Sequence, residues 1–252
     1  MFKFVPRIRV VHGRRYFSAN PKNVFDEGAA FLGLTSSSGG PLLHATQDIL
    51  DSVLRYKSPG KKEFVEVTGA NMALEDLSIL SEMHPDHRVR IAIPEQVTLR
   101  LEQSRSVIDD IVHKGDPVYG INTGFGLLSH TNVDKADLAR LQANLIRSHA
   151  SGVGTPLDPS TVRRIMALRI NVLARGHSGI SLGTFKTLVR MFNAGLTPEV
   201  PCQGTVGASG DLAPLAHIAL GVMGEGLIHD ASTNGYAPAR EVLKKYKISP
   251  AK

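Results

Sequence analysis

The sequence predicts a mainly α protein preceded by a small α/β module. Three observations carry that expectation: apolar residues recurring every three or four positions between residues 94 and 195, cap and stop residues bracketing each such run, and a strand-and-turn texture before residue 69. The predicted organisation is therefore an N-terminal module at 1–68 and a helical domain at 69–252.

Within the module, Arg7-Ile8-Arg9-Val10 alternates polar with apolar and then meets Gly13, as a strand entering a turn does. The same segment carries Lys3 and four arginines before its first acid, Asp26, which is also the composition of a mitochondrial transit peptide; the strand is the preferred reading. Leu42, Ala45, Ile49 and Val53 recur at helical spacing behind "SSSGGP" (36–41), and "EFVEV" (63–67) reads as a further strand.

Four helices follow. Pro94 suits a first turn; Val97, Leu101, Ile108 and Ile111 form a stripe that Gly115 ends. The second runs from about Lys135 to Ala150 on Leu138, Leu141 and Leu145. Asp158-Pro159 caps the third, whose apolar Ile165, Leu168 and Val172 lead to a stop at Gly176. Ser181 opens the fourth, with Phe185, Leu188, Val189 and Phe192 inside and Gly195 at its end. Four consecutive amphipathic helices imply a bundle.

Composition removes several functions. The net charge of +6 is spread along the chain with Asp and Glu interleaved, so no basic patch points to nucleic acid. Cys202 is the single cysteine; no intramolecular disulfide can form, and a reducing, cytoplasmic setting is expected, with a mitochondrial one as the alternative that the arginine-rich start offers. The longest apolar run, Leu215 to Met223, is interrupted by His217 and falls far short of the ~20 residues a membrane helix needs.

The informative stretch is "GTVGASGDLAPLAH" (204–217), a glycine-punctuated loop launching a helix of small residues. Three chemistries suit Ser209. A hydrolase nucleophile sits in Gly-x-Ser-x-Gly, and this frame misses that by one residue. A helix cap is satisfied by Ser209 or Asp211 with Pro214 in the first turn, but this leaves Ala208 and Gly210 unexplained. Backbone cyclisation uses all three. The Gly210 amide nitrogen bonds to the Ala208 carbonyl carbon and one water leaves; Ser209 then loses its β-hydroxyl with its α-proton as a second water, giving a ring with an exocyclic methylidene. Gly210 supplies an unhindered nitrogen and Ala208 a small flank, Asp211 can assist the proton transfers, and the helix behind directs its positive end at the ring.

"GTVGASGDLAPLAHIALGVMGEG" (204–226) resembles the signature of the ammonia-lyases that carry the methylidene-imidazolone (MIO) group. Four more stretches agree in order and spacing: "MALEDL" near 72, "VYGINTGFG" (118–126), "LQANLIRSHASGVGTPL" (141–157) and "LRINVLARGHSGIS" (168–181). The resemblance spans roughly residues 70 to 250 and implies a helical lyase domain. Ser148-His149 resembles the pair carried by histidine ammonia-lyases, whereas Phe-Leu or His-Leu stands there in relatives selective for phenylalanine or tyrosine. His149 also continues the stripe Leu138, Leu141, Leu145, which by itself reads as a buried, hydrogen-bonded histidine.

The resemblance implies deamination of L-histidine to urocanate and ammonia, with an MIO formed from Ala208, Ser209 and Gly210 and no metal. It casts Tyr119 as the base, His149 as the partner of the substrate imidazole, and Asp211, Gly207 and Gly126 in support of cyclisation. It also implies a homo-oligomer, a tetramer in the family. Family members are about twice as long, so this chain is expected to be the N-terminal portion of such a lyase and inactive alone; the competing expectation is an incomplete isoform that only associates with full-length subunits.

Overall fold

A computed structural model of the chain describes residues 63–83, 88–208 and 210–251, all within the compact unit spanning 58–252. The strand read at 7–10, the helix read on Leu42 to Val53, and Ser209 lie outside the described residues. Among the described residues the fold is mainly α, with seven α-helices and seven short strands, and no helix is long and apolar enough to cross a membrane.

Strand β1 (Phe64–Glu66) pairs in parallel with β2 (Arg90–Ala92), opposing Val65 to Ile91, so the strand read at 63–67 belongs to this unit. Between them runs α1 (Leu74–Ser81), whose Ala73 amide donates to the Asp76 carboxylate at its first turn. Helix α2 (Glu95–Lys114) starts behind Pro94 and ends at Gly115 as predicted, although only Val97 and Leu101 of its stripe are fully buried. Helix α3 (Leu138–His149) is shorter than expected, because Lys135–Asp137 forms a 3-10 turn. It packs chiefly on one neighbour, α6 (Leu212–Val222), and has no fully buried residue, so His149 is half-buried.

Helix α4 (Pro159–Ala174) is capped by Asp158, whose carboxylate accepts the Ser160 amide at 3.0 Å. It buries Val162, Met166, Ile170 and Leu173, and not the row Ile165, Leu168, Val172; Leu168 is 46% and Val172 54% exposed. Both rows satisfy helical spacing, and the neighbours decide which one turns inward. Ser181 caps α5 (Leu182–Asn193) through the Thr184 amide, and Phe185, Leu188, Met191 and Phe192 enter the core. Beyond α5, β4 (Leu196–Pro198), β6 (Leu227–Asp230) and β7 (Gly235–Pro238) form an antiparallel sheet, closed by α7 (Ala239–Lys245). A separate pair, β3 (Val153–Pro156) with β5 (Pro201–Gln203), brings the segment after α3 beside the segment before α6.

The neighbours meet at Arg163, a fully buried residue of α4. Its guanidinium donates to the carbonyls of Leu80 (2.5 Å), Phe192 (2.6 Å) and Val89 (2.9 Å) and lies 3.7 Å from the centre of the Phe192 ring. Leu80 and Phe192 sit in the last turns of α1 and α5, whose carbonyls carry the negative end of the dipole; the Phe192 carbonyl also accepts the Gly195 amide at 3.0 Å. Burial, reinforced by nearby Arg88, pulls the Arg163 pKa down to about 9, which still leaves a cation at neutral pH. Asn193 adds a second tie, its amide side chain pairing with both backbone groups of Ile91 in β2 at 2.8 and 2.9 Å.

A tight crossing joins β3, β5 and α6. Gly152 donates its amide to His217 Nε2 at 3.1 Å, and a Cβ on Gly204 would lie 3.2 Å from the Gly152 Cα and 3.1 Å from the Ala213 Cβ. Burial lowers the His217 pKa, opposed by the charge of Glu199. Since Nε2 accepts a hydrogen bond here, protonating it breaks the crossing.

Two outcomes follow from these contacts. Arg163→Met is expected to destabilise the fold by roughly 3 kcal/mol, mainly from the Leu80 and Val89 carbonyls losing the guanidinium donor at about 1–3 kcal/mol each, measured as a shift in the urea midpoint at unchanged m. Because the folded-state pKa of His217 is lowered, the unfolded chain takes up the proton first as pH falls below 6.5, and stability declines through that window. His217→Gln keeps an acceptor for Gly152 without titrating, so its stability is expected to fall less than that of the parent chain between pH 7.5 and 5.5; parallel pH profiles would refute this role.

Candidate active site

The loop 204–211 runs from β5 to α6. Gly207 (φ +72°) and Gly210 (φ +106°) hold left-handed backbone, and nothing lies within 4 Å of a Cβ built on either, so conformation and not packing calls for glycine there. Asp211 occupies the N-cap position of α6, yet its carboxylate takes no helix amide. It accepts instead from the Thr205 hydroxyl at 3.0 Å, while the Gly207 amide donates to that same oxygen at 3.0 Å. The cap reading of Asp211 is thereby corrected: the loop, and not the helix, holds its side chain. Ala208 and Gly210 are exposed.

At the C-terminal end of α3, His149 Nδ1 lies 2.8 Å from the Leu145 carbonyl and 3.1 Å from Ser148 Oγ. A carbonyl only accepts, so Nδ1 carries the proton and neutral His149 presents Nε2 as an acceptor. Next door, Arg147 and Glu225 form a two-pronged ion pair at 2.6 and 3.0 Å; their hydrogen bond raises the arginine pKa and lowers that of the glutamate. An exposed pair of this kind adds little stability, but it ties the end of α3 to the chain leaving α6.

His149, Ser148, Thr205, Ala208 and Gly210 line one open cleft of about 690 Å³, together with the exposed Cys202. The structure thus brings the Ser148-His149 pair to the loop around Ser209. Tyr119 is not part of this cleft. It is 63% exposed and stands edge-on to Phe125, with ring centres 6.0 Å apart. Its loop neighbours Gly120 and Ile121 line a different recess with Leu138, at the opposite end of α3. Eleven residues separate Leu138 from His149, roughly 16 Å along the helix at about 1.5 Å per residue. Gly126 (φ +56°) belongs to the tyrosine loop and opens its 3-10 turn, remote in sequence and lining from residues 204–211.

Three residues to which the sequence reading assigns no role organise these loops. Asn122 is 4% exposed and closes the tyrosine loop, accepting from the Val118 amide (2.7 Å) and donating to the Asp116 carbonyl (2.8 Å). His217 fixes Gly152, and Thr205 crosses the loop 204–211. The Asn within a Gly-rich turn and the Thr two residues before Gly207 were the available signals, since such side chains bond nearby backbone. Among the described residues no group of three His, Cys, Asp or Glu side chains could hold a metal ion.

Comparison with known proteins identifies the family. The chain is 46% identical over 196 residues to the histidine ammonia-lyase of Bos taurus, covering 78% of this chain and 29% of that relative. Against that of Salmonella arizonae it is 47% identical over 174 residues, 68% of this chain and 34% of the relative. The crystal structure of histidine ammonia-lyase from Trypanosoma cruzi superposes with a TM-score of 0.67 at 40% identity, over 75% of this chain and 36% of that one. The chain therefore spans about a third of the length of the relatives it matches. Residues 74–252 match the family described as aromatic amino acid lyase, and with that match over most of its length the chain belongs to this family.

Proposed function

We propose that this chain forms the electrophile-bearing part of a histidine ammonia-lyase, which converts L-histidine to urocanate and ammonia in the cytoplasm. The observation that carries the reading is the shared cleft: His149 and the loop holding Ala208 and Gly210 face one space. The residues present suit a cyclised Ala208-Ser209-Gly210. Two left-handed glycines allow a sharp bend, no neighbour crowds either one, and the cleft leaves room beside Ala208. The ring would supply an electrophilic methylidene that draws electrons from the substrate and makes the amine a better leaving group.

The remaining work falls to side chains. His149 Nε2, held as an acceptor by the Nδ1–H bond to Leu145, takes the N–H of a substrate imidazole and orients that ring in the cleft. A Phe or Tyr substrate offers no such donor at that position. Tyr119 removes the β-proton. Because it stands at the far end of α3 from His149, the reading places it in the cleft of a neighbouring copy, in line with the homotetramer that the family resemblance implies.

The test uses the chain joined at residue 251 to the C-terminal remainder of the bovine relative, with urocanate followed by absorbance. L-histidine is expected to be deaminated in preference to L-phenylalanine and L-tyrosine, and Ser209→Ala to lose about 10⁴-fold or more in rate, the scale on which removing a central catalytic group acts. Parent-level activity in Ser209→Ala would overturn the electrophile. Replacing Ser148-His149 by Phe-Leu is expected to lower kcat/KM for histidine by about a hundredfold, about 2.7 kcal/mol of lost transition-state binding, with the unfolding midpoint nearly unchanged. An unchanged KM and kcat for histidine would reduce His149 to a packing residue.

A further inference from the structure

The cyclisation proposed above has a geometric requirement that the sequence does not meet by itself. Ring closure needs the Gly210 nitrogen against the Ala208 carbonyl carbon, yet a glycine-rich loop has many conformations open to it. Something must hold the two sides of the turn together. Among the described residues, the only side chain that hydrogen-bonds to residues 206–211 from elsewhere in the loop is Thr205.

Its hydroxyl does two things at once. The oxygen accepts the Gly207 amide at 3.0 Å on the incoming side, and the proton goes to the outgoing side, to Asp211 Oδ1 at 3.0 Å, with the Gly210 carbonyl also at 3.4 Å. Residues 205, 207 and 211 are thereby gathered around one oxygen, and Ala208 and Gly210 lie between the two sides it ties. Thr205 is itself anchored, because Gly204 before it is seated against Gly152 and Ala213 and the helix α6 begins at Leu212 behind it.

We infer that Thr205 is the positioning residue for ring closure: its hydroxyl clamps the loop so that the Gly210 amide nitrogen meets the Ala208 carbonyl carbon. The inference rests on the MIO reading of this loop. The step it positions is balanced without any oxidant or co-reactant. The Gly210 nitrogen bonds to the Ala208 carbon; its proton and that of the Ser209 amide leave with the Ala208 oxygen as one water. The Ser209 α-proton and β-hydroxyl leave as the second. Thr205 takes no part in bond making, and the Asp211 carboxylate it holds lies beside Gly210, where a proton acceptor is required.

The experiment compares the 252-residue chain with Thr205→Ser, which keeps the hydroxyl, and Thr205→Val, which keeps the shape and removes it. Intact mass is followed after a short pulse of synthesis, hydrogen exchange is read at the Gly207 amide, and far-ultraviolet circular dichroism checks the fold. Parent and Thr205→Ser are expected to lose two waters at similar rates. Thr205→Val is expected to lose them about tenfold or more slowly, a modest share of the ~100-fold that a misplacement near 1 Å can bring, with helicity unchanged and Gly207 exchange accelerated. Two waters lost from Thr205→Val as fast as from the parent would overturn the clamp while leaving the cyclisation reading intact. A parent chain that keeps both waters with its Gly207 amide protected would overturn the cyclisation reading, and the role of Thr205 with it.

Discussion

A single buried cation sets the relation between the helices. Among the described residues no carboxylate pairs with Arg163; its charge is met by three backbone carbonyls and the face of Phe192. A guanidinium is suited to this because its planar fork offers several donors in fixed directions and stacks on an aromatic ring. Burying a charge without a counter-charge is costly, and the arrangement persists because three carbonyls and an aromatic face replace the water that the guanidinium gives up. Two of the carbonyls end helices, so the residue closes α1 and α5 together, while the third holds the approach to β2. With Arg163 turned inward, the apolar row that flanks it on α4 becomes the core row.

From this core the order reaches the cleft through backbone. Helices α4 and α5 carry β4, the chain turns into β5, and the β3–β5 pair sets residues 150–157 beside residues 201–204. Gly152 and Gly204 then approach so closely that a Cβ on either would crowd its neighbours at 3.1–3.2 Å, His217 and Pro201 for the first and Ala213 and Gly152 for the second. Each contact shortens the path between the end of α3 and the start of α6. His149 and Ala208 share a cleft because of these crossings, and no direct bond between the two segments' side chains is needed.

What was legible in the sequence is what local chemistry decides. Asp158 and Ser181 announce helix starts, since a cap acts within three residues, and both bond as expected. The Ala208-Ser209-Gly210 stretch was legible because its chemistry needs three consecutive residue types. Arg163 was not, as nothing local distinguishes an arginine that will meet Leu80, 83 residues earlier, from one that faces water. The same distance hides the choice between two apolar rows on α4. Thr205 is an intermediate case: its partners lie two and six residues ahead, but only the returning loop brings Asp211 to it.

The separation of Tyr119 from His149 has the same origin as their precision. Helix α3 is a rigid spacer, with the tyrosine loop near Leu138 at one end and Ser148-His149 at the other. Rigidity lets His149 hold its ring through Leu145 without a partner from the core, and it keeps the two ends of α3 roughly 16 Å apart. No hinge within a continuous helix can close that gap. On the proposed function the reaction draws the two groups from different copies, and chemistry is then tied to assembly. The half-exposed apolar residues Leu168 and Val172 on α4, together with the apolar opening of about 340 Å³ bounded by α3, α4, α5 and α6, offer the kind of surface on which such an assembly gains burial. The core built around Arg163 therefore suffices to shape the cleft, and on the proposed function the tyrosine comes from a copy packed against the outside of these helices.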